Sequence, residues 1–177
     1  MAMPKSPLQR INRWDLELCL LFNRQSRNVS VRSLFRAASR LGDGVFWYAL
    51  MVALLLRFRG DALPAVAHML AAAAVGTALY KLIKHKTLRP RPYSVHPDIA
   101  CAGRILDPFS FPSGHTMHAT SFAVIVLYYF PGLFWLVAPF SLMVALSRPI
   151  LGLHYPSDVL AGAGLGGLLA ACALYLA

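Results

Sequence analysis

The amino-acid sequence predicts an all-α, integral-membrane helical bundle, with about five transmembrane helices preceded by helices that lie on the membrane surface. Hydrophobic residues make up 58% of the 177 residues and charged residues 14%, whereas a soluble domain has roughly 45–50% and about 25%. A chain of this length forms about one domain, and a water-soluble core of that size could not hide so much apolar surface. The apolar residues also form long runs, which short polar stretches separate.

Residues 1–44 are predicted to form a basic amphipathic interfacial region. Between residues 12 and 40, Leu, Phe, Val and Ile alternate with arginines three to five positions apart, namely Arg24, Arg27, Arg32, Arg36 and Arg40. This pattern is typical of helices whose apolar side enters the membrane while their guanidinium groups meet lipid phosphate. Asp15, Glu17 and Asn23 interrupt the first apolar run, so no cleavable signal peptide is expected. Whether residues 12–40 lie on the membrane surface or are partly inserted into the membrane stays open.

Residues 45–177 are predicted to form a membrane-embedded domain. Its five predicted crossings are residues 45–56, 62–83, 116–130, 133–146 and 158–177. The first follows a turn at residues 41–44 and is only twelve residues long, so Arg57 and Arg59 must reach the far interface. The third and fourth are split by Pro131-Gly132, which predicts an antiparallel pair. Glycines in the last crossing offer a small-residue face to another helix.

Most of the charged residues after position 83 fall in three short polar stretches, 84–92, 112–115 and 147–158. No predicted crossing separates the first stretch from the second, and two separate the second from the third, so all three are expected on one face of the membrane. The connection 84–111 contains four prolines, so it cannot be a single helix. A loop of this length inside a compact domain is usually functional.

The first stretch is strongly basic, with Lys84, Lys86, Arg89 and Arg91 within eight residues. Arginine can hold two phosphate oxygens at once, whereas lysine acts as a point charge. The pattern indicates a phosphate site. A solvated basic loop that touches lipid headgroups is an equally simple interpretation of this stretch alone.

The other two stretches carry polar groups at helix ends. Ser113 is a plausible N-cap, and Gly114 would let backbone N–H groups approach an anion at the start of the next helix. Asp158, four residues after His154, could accept the proton of one ring nitrogen and leave the other as a nucleophile. A capping role for Asp158 is the simpler alternative.

Taken in order, the three stretches form a recognisable pattern. It consists of Lys84, six residues, then Arg91-Pro92; then Pro112-Ser113-Gly114-His115; then Ser147-Arg148, five residues, His154, three residues and Asp158. This pattern resembles the three-part signature of the phosphatidic acid phosphatase type 2 and vanadium haloperoxidase superfamily. The resemblance implies that residues 45–177 are a membrane-embedded phosphatase domain.

The resemblance also implies a role for each residue of the signature. Phosphate oxygens would be bound by Lys84, Arg91, Ser113, Gly114 and Arg148. His154 would attack phosphorus to form a phosphohistidine, Asp158 would orient it, and His115 would protonate the leaving alkoxide and later activate water. No metal and no cofactor are implied.

The expected substrate is a phosphomonoester or diphosphate of a membrane lipid. Lys86 and Arg89 lie outside the signature and could hold a second phosphate, which favours an isoprenoid diphosphate such as undecaprenyl diphosphate. Phosphatidylglycerophosphate or phosphatidate is the alternative. Two other classes stay open: a haloperoxidase, which would need a larger soluble setting, and a non-enzymatic lipid-phosphate binder or carrier, which would not need all three of His115, His154 and Asp158.

Other features exclude some partners. The net charge of +10 fits nucleic acid, a membrane surface or anionic substrates, and the apolar runs favour the last two, so no nucleic-acid partner is expected. Asp98 and Asp107 are too far apart to form a magnesium-binding pair. The three cysteines are scattered, which predicts neither a disulfide framework nor a zinc site. His68 is expected to be a packing histidine, and His118 either lines the site or packs. The oligomeric state stays open.

With two crossings before Lys84, the N-terminus and the active site should share one membrane face and the C-terminus should lie opposite. Residues 1–44 carry eight Lys and Arg, and residues 57–61 carry two, so the positive-inside rule places the site in the cytoplasm. Similar small bacterial enzymes, however, commonly work on the outer face of the inner membrane. The expectation is therefore a multi-pass protein of a bacterial inner membrane, and the sequence does not decide which face of that membrane holds the site.

Overall fold

The structure is a computed structural model that describes residues 7–175, with side chains from residue 12, and in this range it is all-helical. Residues 1–6 of the predicted interfacial region and residues 176–177 of the last predicted crossing lie outside it. The helices within this range are α1 (Pro7–Arg24), α2 (Val29–Arg40), α3 (Phe46–Phe58), α4 (Leu63–Thr87), α5 (Pro92–Val95), α6 (Gly114–Tyr129), α7 (Phe134–Ile150) and α8 (Pro156–Tyr175).

The N-terminal helices pack onto the rest of the chain. Helix α1 contacts α7 and α8, and α2 contacts α7. Asn23 of α1 lies at this interface, where its side-chain amide donates to the carbonyls of Ala100 and Ile150, both at 3.0 Å, and its oxygen accepts from the N–H of Ala100 at 2.9 Å. Asn28 begins α2, because its side chain accepts hydrogen bonds from Ser30 N and Val31 N. The amphipathic region therefore presents a polar, buried side to the bundle.

Helix α6 is the centre of the bundle and packs against α4, α7 and α8. Its contact with α8 depends on the glycines of α8, because a Cβ at Gly162 would lie 2.5 Å from the carbonyl oxygen of Ser113, and one at Gly166 would collide with that of Met117. The predicted small-residue face of the last helix is thus used to bring its backbone against α6. The beginnings of α6 and α8, which carry two parts of the signature, are thereby held together.

Between residues 7 and 175, three helical runs are long and apolar enough to cross a membrane, by length and composition: Val29–Thr87, Pro131–Ile150 and Pro156–Tyr175. They support an integral-membrane protein. The count of five crossings stays a prediction, because α3 has 13 residues and α6 has 16, which is fewer than the ~20 of an ordinary crossing.

The connection between α4 and α6 is not a single helix, as its prolines predicted. It contains only the short helix α5, and an isolated antiparallel bridge joins Pro90 to Phe109. The Arg89 carbonyl also accepts a hydrogen bond of 2.8 Å from Ser110 N. These contacts fold the basic stretch back onto the segment that leads into α6.

Candidate active site

A cavity of about 660 Å³ opens where the three polar stretches meet. Its lining includes charged or polar groups from each stretch, namely Lys84, Arg91, Gly114, His115, Arg148 and His154. Apolar side chains of α3, α4 and α6, among them Trp47, Ala73 and Phe122, line the same cavity. The predicted convergence on one end of the bundle is therefore present in the fold. Another cavity, of about 740 Å³, runs along α1 and includes none of the signature residues.

Arg91 joins the first stretch to the third. Its Nη1 donates to the carbonyl of Leu153 at 2.7 Å and lies 3.3 Å from Nε2 of His154. Since a guanidinium can only donate, Nε2 is the acceptor in this contact, and the ring proton of His154 is assigned to Nδ1. Arg91 is almost fully buried, and its position thus fixes both the ring and its tautomer.

His154 lies in the loop between α7 and α8 and is buried. Burial lowers the pKa of His154 well below its ordinary value, and the positive charges of Arg148, Arg91 and Lys84 act in the same direction. The imidazole is therefore neutral, which is the state a nucleophile needs. Its Nδ1 lies 3.7 Å from Oδ2 of Asp158, too far for a hydrogen bond, and has no hydrogen-bond partner among the described residues.

Asp158 is held by other groups. Its Oδ2 accepts a hydrogen bond of 2.8 Å from the N–H of Tyr155, and its Oδ1 lies 2.6 Å from Nη1 of Arg89. The N–H contact near the start of α8 matches the capping alternative, while the 3.7 Å separation from His154 is close enough for a charge interaction. The described contacts thus match the capping alternative, and the predicted hydrogen bond from His154 to Asp158 is absent from them.

Arg89 does not line the cavity. Its Nη2 pairs with Oδ2 of Asp15 at 2.6 Å, its Nη1 donates to Oγ of Ser157 at 2.8 Å, and its guanidinium lies over the ring of Tyr155 at 4.1 Å. Lys86 is exposed near the end of α4 and also lies outside the cavity lining. The structure therefore does not bring the expected second-phosphate pair together with the other cations.

Two cations of the signature, Lys84 and Arg91, share one acidic partner, Asp107. Lys84 Nζ donates to both carboxylate oxygens of Asp107, at 2.9 and 2.8 Å, and Nη2 of Arg91 lies 3.2 Å from the same carboxylate. Burial alone would raise the pKa of Asp107, but the hydrogen bond and charge of Lys84, with the charge of Arg91, bring it below its ordinary value. An ionised carboxylate thus lies between two expected phosphate ligands.

Arg148 is almost completely buried near the end of α7. Its Nη1 donates to Oγ of Ser39 at 2.6 Å, whereas its Nε has no hydrogen-bond partner among the described residues. A buried guanidinium with an unused donor is costly unless an anion binds nearby. Ser39 comes from α2, so the N-terminal region helps to position this cation.

The start of α6 carries Ser113, Gly114 and His115. Ser113 is the N-cap, as predicted: its Oγ accepts from Thr116 N at 3.4 Å and shares a hydrogen bond of 2.9 Å with Thr116 Oγ1. Ser113 is buried and does not line the cavity, whereas Gly114 does. Nε2 of His115 lies 2.9 Å from Oδ1 of Asp43, which belongs to the turn between α2 and α3.

Two further histidines lie in the apolar helices. His118 lines the cavity, and its Nε2 lies 3.4 Å from Oγ1 of Thr77. His68 hydrogen-bonds to the hydroxyl of Tyr129 at 2.9 Å, which matches its predicted packing role.

Sequence reasoning missed the partners of the signature residues, namely Asp15, Ser39, Asp43 and Asp107. The sequence did contain one indication of the acidic partners: the chain has only seven acidic residues, so each one is notable. A carboxylate in a basic or apolar segment of such a chain needs a cation or histidine as a partner.

Comparisons with known proteins place the chain in a family. A family model described as the PAP2 superfamily matches residues 65–177. Over 103 residues the chain is 40% identical to the decaprenylphosphoryl-5-phosphoribose phosphatase of Mycobacterium tuberculosis (strain ATCC 25618 / H37Rv), covering 57% of this chain and 55% of that protein. The chain thus spans about half the length of the mycobacterial relatives it matches. Over 155 residues it is 27% identical to the undecaprenyl-diphosphatase of Sulfolobus acidocaldarius, covering 86% and 73%.

Two crystal structures share the fold. A transmembrane PAP2 type phosphatidylglycerolphosphate phosphatase from Bacillus subtilis superposes with a TM-score of 0.71 and 25% identity, over 97% of this chain and 87% of that chain. LpxE of Aquifex aeolicus gives a TM-score of 0.71 at 23% identity, over 99% of both chains, and supports the fold alone. Because the family match covers more than half of the sequence and includes all three polar stretches, the chain belongs to the PAP2 superfamily.

Proposed function

We propose that the protein is a metal-independent lipid phosphate phosphatase that works through a phosphohistidine at His154. The observation that carries this proposal is the meeting of Lys84, Arg91 and Arg148 with a neutral, buried His154 in one cavity. Three cations can bind the phosphate oxygens, and the unprotonated Nε2 can attack phosphorus. The apolar part of the cavity lining lies next to these groups and suits the first part of a lipid tail.

The reaction takes place in two steps. In the first step, Nε2 of His154 forms a bond to the terminal phosphorus while the bond from that phosphorus to the leaving oxygen breaks. The leaving group is the lipid alkoxide of a phosphomonoester, which takes a proton from His115, or the lipid phosphate of a diphosphate, which needs that proton less. In the second step, neutral His115 takes a proton from water, whose oxygen attacks phosphorus as the bond to Nε2 breaks. Inorganic phosphate leaves, and both histidines return to their starting states. Asp158 stabilises the positive charge that His154 acquires.

The proposed substrate class is a polyprenyl phosphate or diphosphate, with undecaprenyl diphosphate as the first candidate. The names of two groups of relatives support a polyprenyl-linked substrate, since one group is named for decaprenylphosphoryl-5-phosphoribose and the other for undecaprenyl diphosphate. A second phosphate would meet Lys81 and His85, which line the same cavity, more readily than Arg89, which is held in ion pairs. The alternative substrate is phosphatidate or phosphatidylglycerophosphate, and the second of these is the lipid for which the Bacillus subtilis phosphatase is named.

Phosphate release by the purified protein from a panel of lipids tests the proposal. The panel contains undecaprenyl diphosphate, undecaprenyl phosphate, phosphatidylglycerophosphate and phosphatidate in mixed micelles, each with and without EDTA. We expect the highest kcat/KM on a polyprenyl substrate and no effect of EDTA. A protein that binds these lipids but releases no phosphate from any of them is a binder or carrier and contradicts the proposal.

A further inference from the structure

Asp43 is an acidic group at the active site that lies outside the signature and outside the family match, which begins at residue 65. Its Oδ1 lies 2.9 Å from Nε2 of His115, and both side chains line the cavity. The side chain of His115 is 12% exposed and that of Asp43 is 30% exposed, so the contact is largely shielded from water. A shielded contact between a carboxylate and an imidazole is stronger than one at a surface.

The backbone around Asp43 is specialised to bring it to this position. Residues Leu41–Val45 form a kink between α2 and α3, where the backbone of Gly44 leaves the helical conformation. Gly44 has a φ of +129°, which L side chains rarely adopt. On the other side of Asp43, a Cβ at Gly42 would lie 2.6 Å from Cγ2 of Val144. A side chain at position 44 would therefore strain the backbone, and one at position 42 would require Val144 to move.

The charges around His115 explain why a carboxylate is useful there. The titratable and charged groups that face it are Asp43 from the turn, Arg91 from the loop after α4, Arg148 from α7 and His154 from the loop before α8. Burial lowers the pKa of His115 to about 4, and the charges of Arg148 and Arg91 act in the same direction, whereas the hydrogen bond and the charge of Asp43 raise it. Among the groups that face His115, Asp43 is therefore the one that favours its protonated form, and it partly offsets burial and the two arginines.

We propose that Asp43 is a positioning residue that orients His115 and stabilises its protonated form, so that it can donate to the leaving oxygen. This inference rests on the proposed function, because it takes His115 as the proton donor. Asp43 stays ionised throughout: His115 loses one proton to the alkoxide and regains one from water, and Asp43 neither gains nor loses a proton.

The first test is the pH profile of kcat in D43N, which keeps the size of the side chain but removes its charge. We expect kcat on a lipid monophosphate to fall about tenfold or more, as general acid catalysis contributes roughly 10²–10⁴-fold, with little change in KM. The alkaline limb of the profile should move to lower pH, because less His115 is protonated. D61N is the matched control, since Asp61 is exposed in the 3₁₀ turn after α3. A profile of unchanged shape in D43N overturns the proposal.

The second test is a double-mutant cycle with H115A. If Asp43 acts through His115, D43N should lower kcat no further once His115 is absent. Losses that multiply in D43N/H115A mean that Asp43 acts independently, for example by supporting the fold, and overturn the proposal.

The third test separates this inference from the proposed function. The ring nitrogens of ¹⁵N-histidine-labelled protein are titrated by NMR, and the signals of His115 are assigned from their loss in H115A. In D43N, His115 should become protonated only at lower pH, while the titration in D61N stays unchanged. This readout needs no turnover, so it is valid even if the wild-type protein releases no phosphate and the proposed function fails. A titration of His115 that is the same in D43N and wild type refutes the role of Asp43.

Discussion

The substitution Arg89→Ala should destabilise the protein and impair turnover of every substrate equally. Arg89 lies 2.6 Å from both Asp15 and Asp158, whose side chains are 4% and 0% exposed. Without the guanidinium, the buried carboxylates of Asp15 and Asp158 lose the positive charge that neutralises them. Removing one partner of a buried ion pair typically costs about 3–5 kcal/mol. For a chain of this size each kcal/mol shifts Tm by roughly 2–4 °C, so a decrease on the order of 10 °C is expected.

The assay combines thermal unfolding in detergent with phosphate release from a lipid monophosphate and a lipid diphosphate. Arg89 also holds Asp158, which lies 3.7 Å from the nucleophile, so both substrates should lose a similar factor in kcat. Lys86→Ala is the matched control: it also removes one cation from the basic stretch, but Lys86 is exposed. We expect the control to change the free energy of unfolding by no more than the ~0.5 kcal/mol of an ordinary surface substitution, which corresponds to a Tm shift of about 2 °C or less.

One outcome would refute this reasoning and restore the role that the sequence suggested for Arg89. If R89A keeps the wild-type Tm and its activity on the monophosphate, but loses activity on the diphosphate through a higher KM, then Arg89 binds a second phosphate. A smaller effect in Asp15→Asn is expected, because Arg89 would keep Asp158 as a partner.

Four further predictions concern the reacting groups. His154→Ala should retain less than about a tenth of the wild-type rate while still binding lipid, as loss of a nucleophile normally costs far more than tenfold; a higher residual rate contradicts the phosphohistidine. Since burial and nearby cations lower the pKa of His154, the acid limb of kcat/KM should lie below pH ~6.5, the ordinary value for histidine, and a limb at or above that pH opposes the assignment. Vanadate should inhibit more tightly than phosphate because it mimics five-coordinate phosphorus, and activity should survive EDTA; a loss that magnesium reverses indicates a metal-dependent enzyme. His115→Ala should impair monophosphates more than diphosphates, because an alkoxide needs protonation more than a phosphate leaving group does; equal losses point to a binding role.

The signature residues and their convergence could be predicted from sequence because spacing and topology constrain them. Lys84, Arg91, Arg148 and His154 line one cavity, as expected when an even number of crossings separates the stretches. The N-cap at Ser113 follows from local chemistry, and the close packing of α8 follows from its glycines. These features depend on short patterns or on counting, which a single sequence contains.

The partners of these residues could not be predicted, because they come from distant segments. Asp15, Asp43 and Asp107 reach Arg89, His115 and Lys84 through the packing of helices whose relative rotation no local pattern specifies. Arg89 shows the consequence: it lies two residues from Arg91 in the sequence, yet it pairs with Asp15 and Asp158 and does not line the cavity. A basic run therefore predicts a positive region, while tertiary contacts decide which cations are available to a ligand.

The carboxylate of Asp107 already occupies Lys84, so a phosphate that binds Lys84 would replace one anion with another. A phosphate that reaches Nζ of Lys84 has to displace an oxygen that already lies at 2.8 Å, so the net electrostatic gain is smaller than in an empty positive pocket. A substrate anchored in the bilayer has a high effective concentration near the site and can compete with Asp107. Inorganic phosphate, once free of its lipid, has no such advantage. If Lys84 and Arg91 bind phosphate as proposed, Asp107 should therefore weaken the binding of the released product more than that of the lipid substrate.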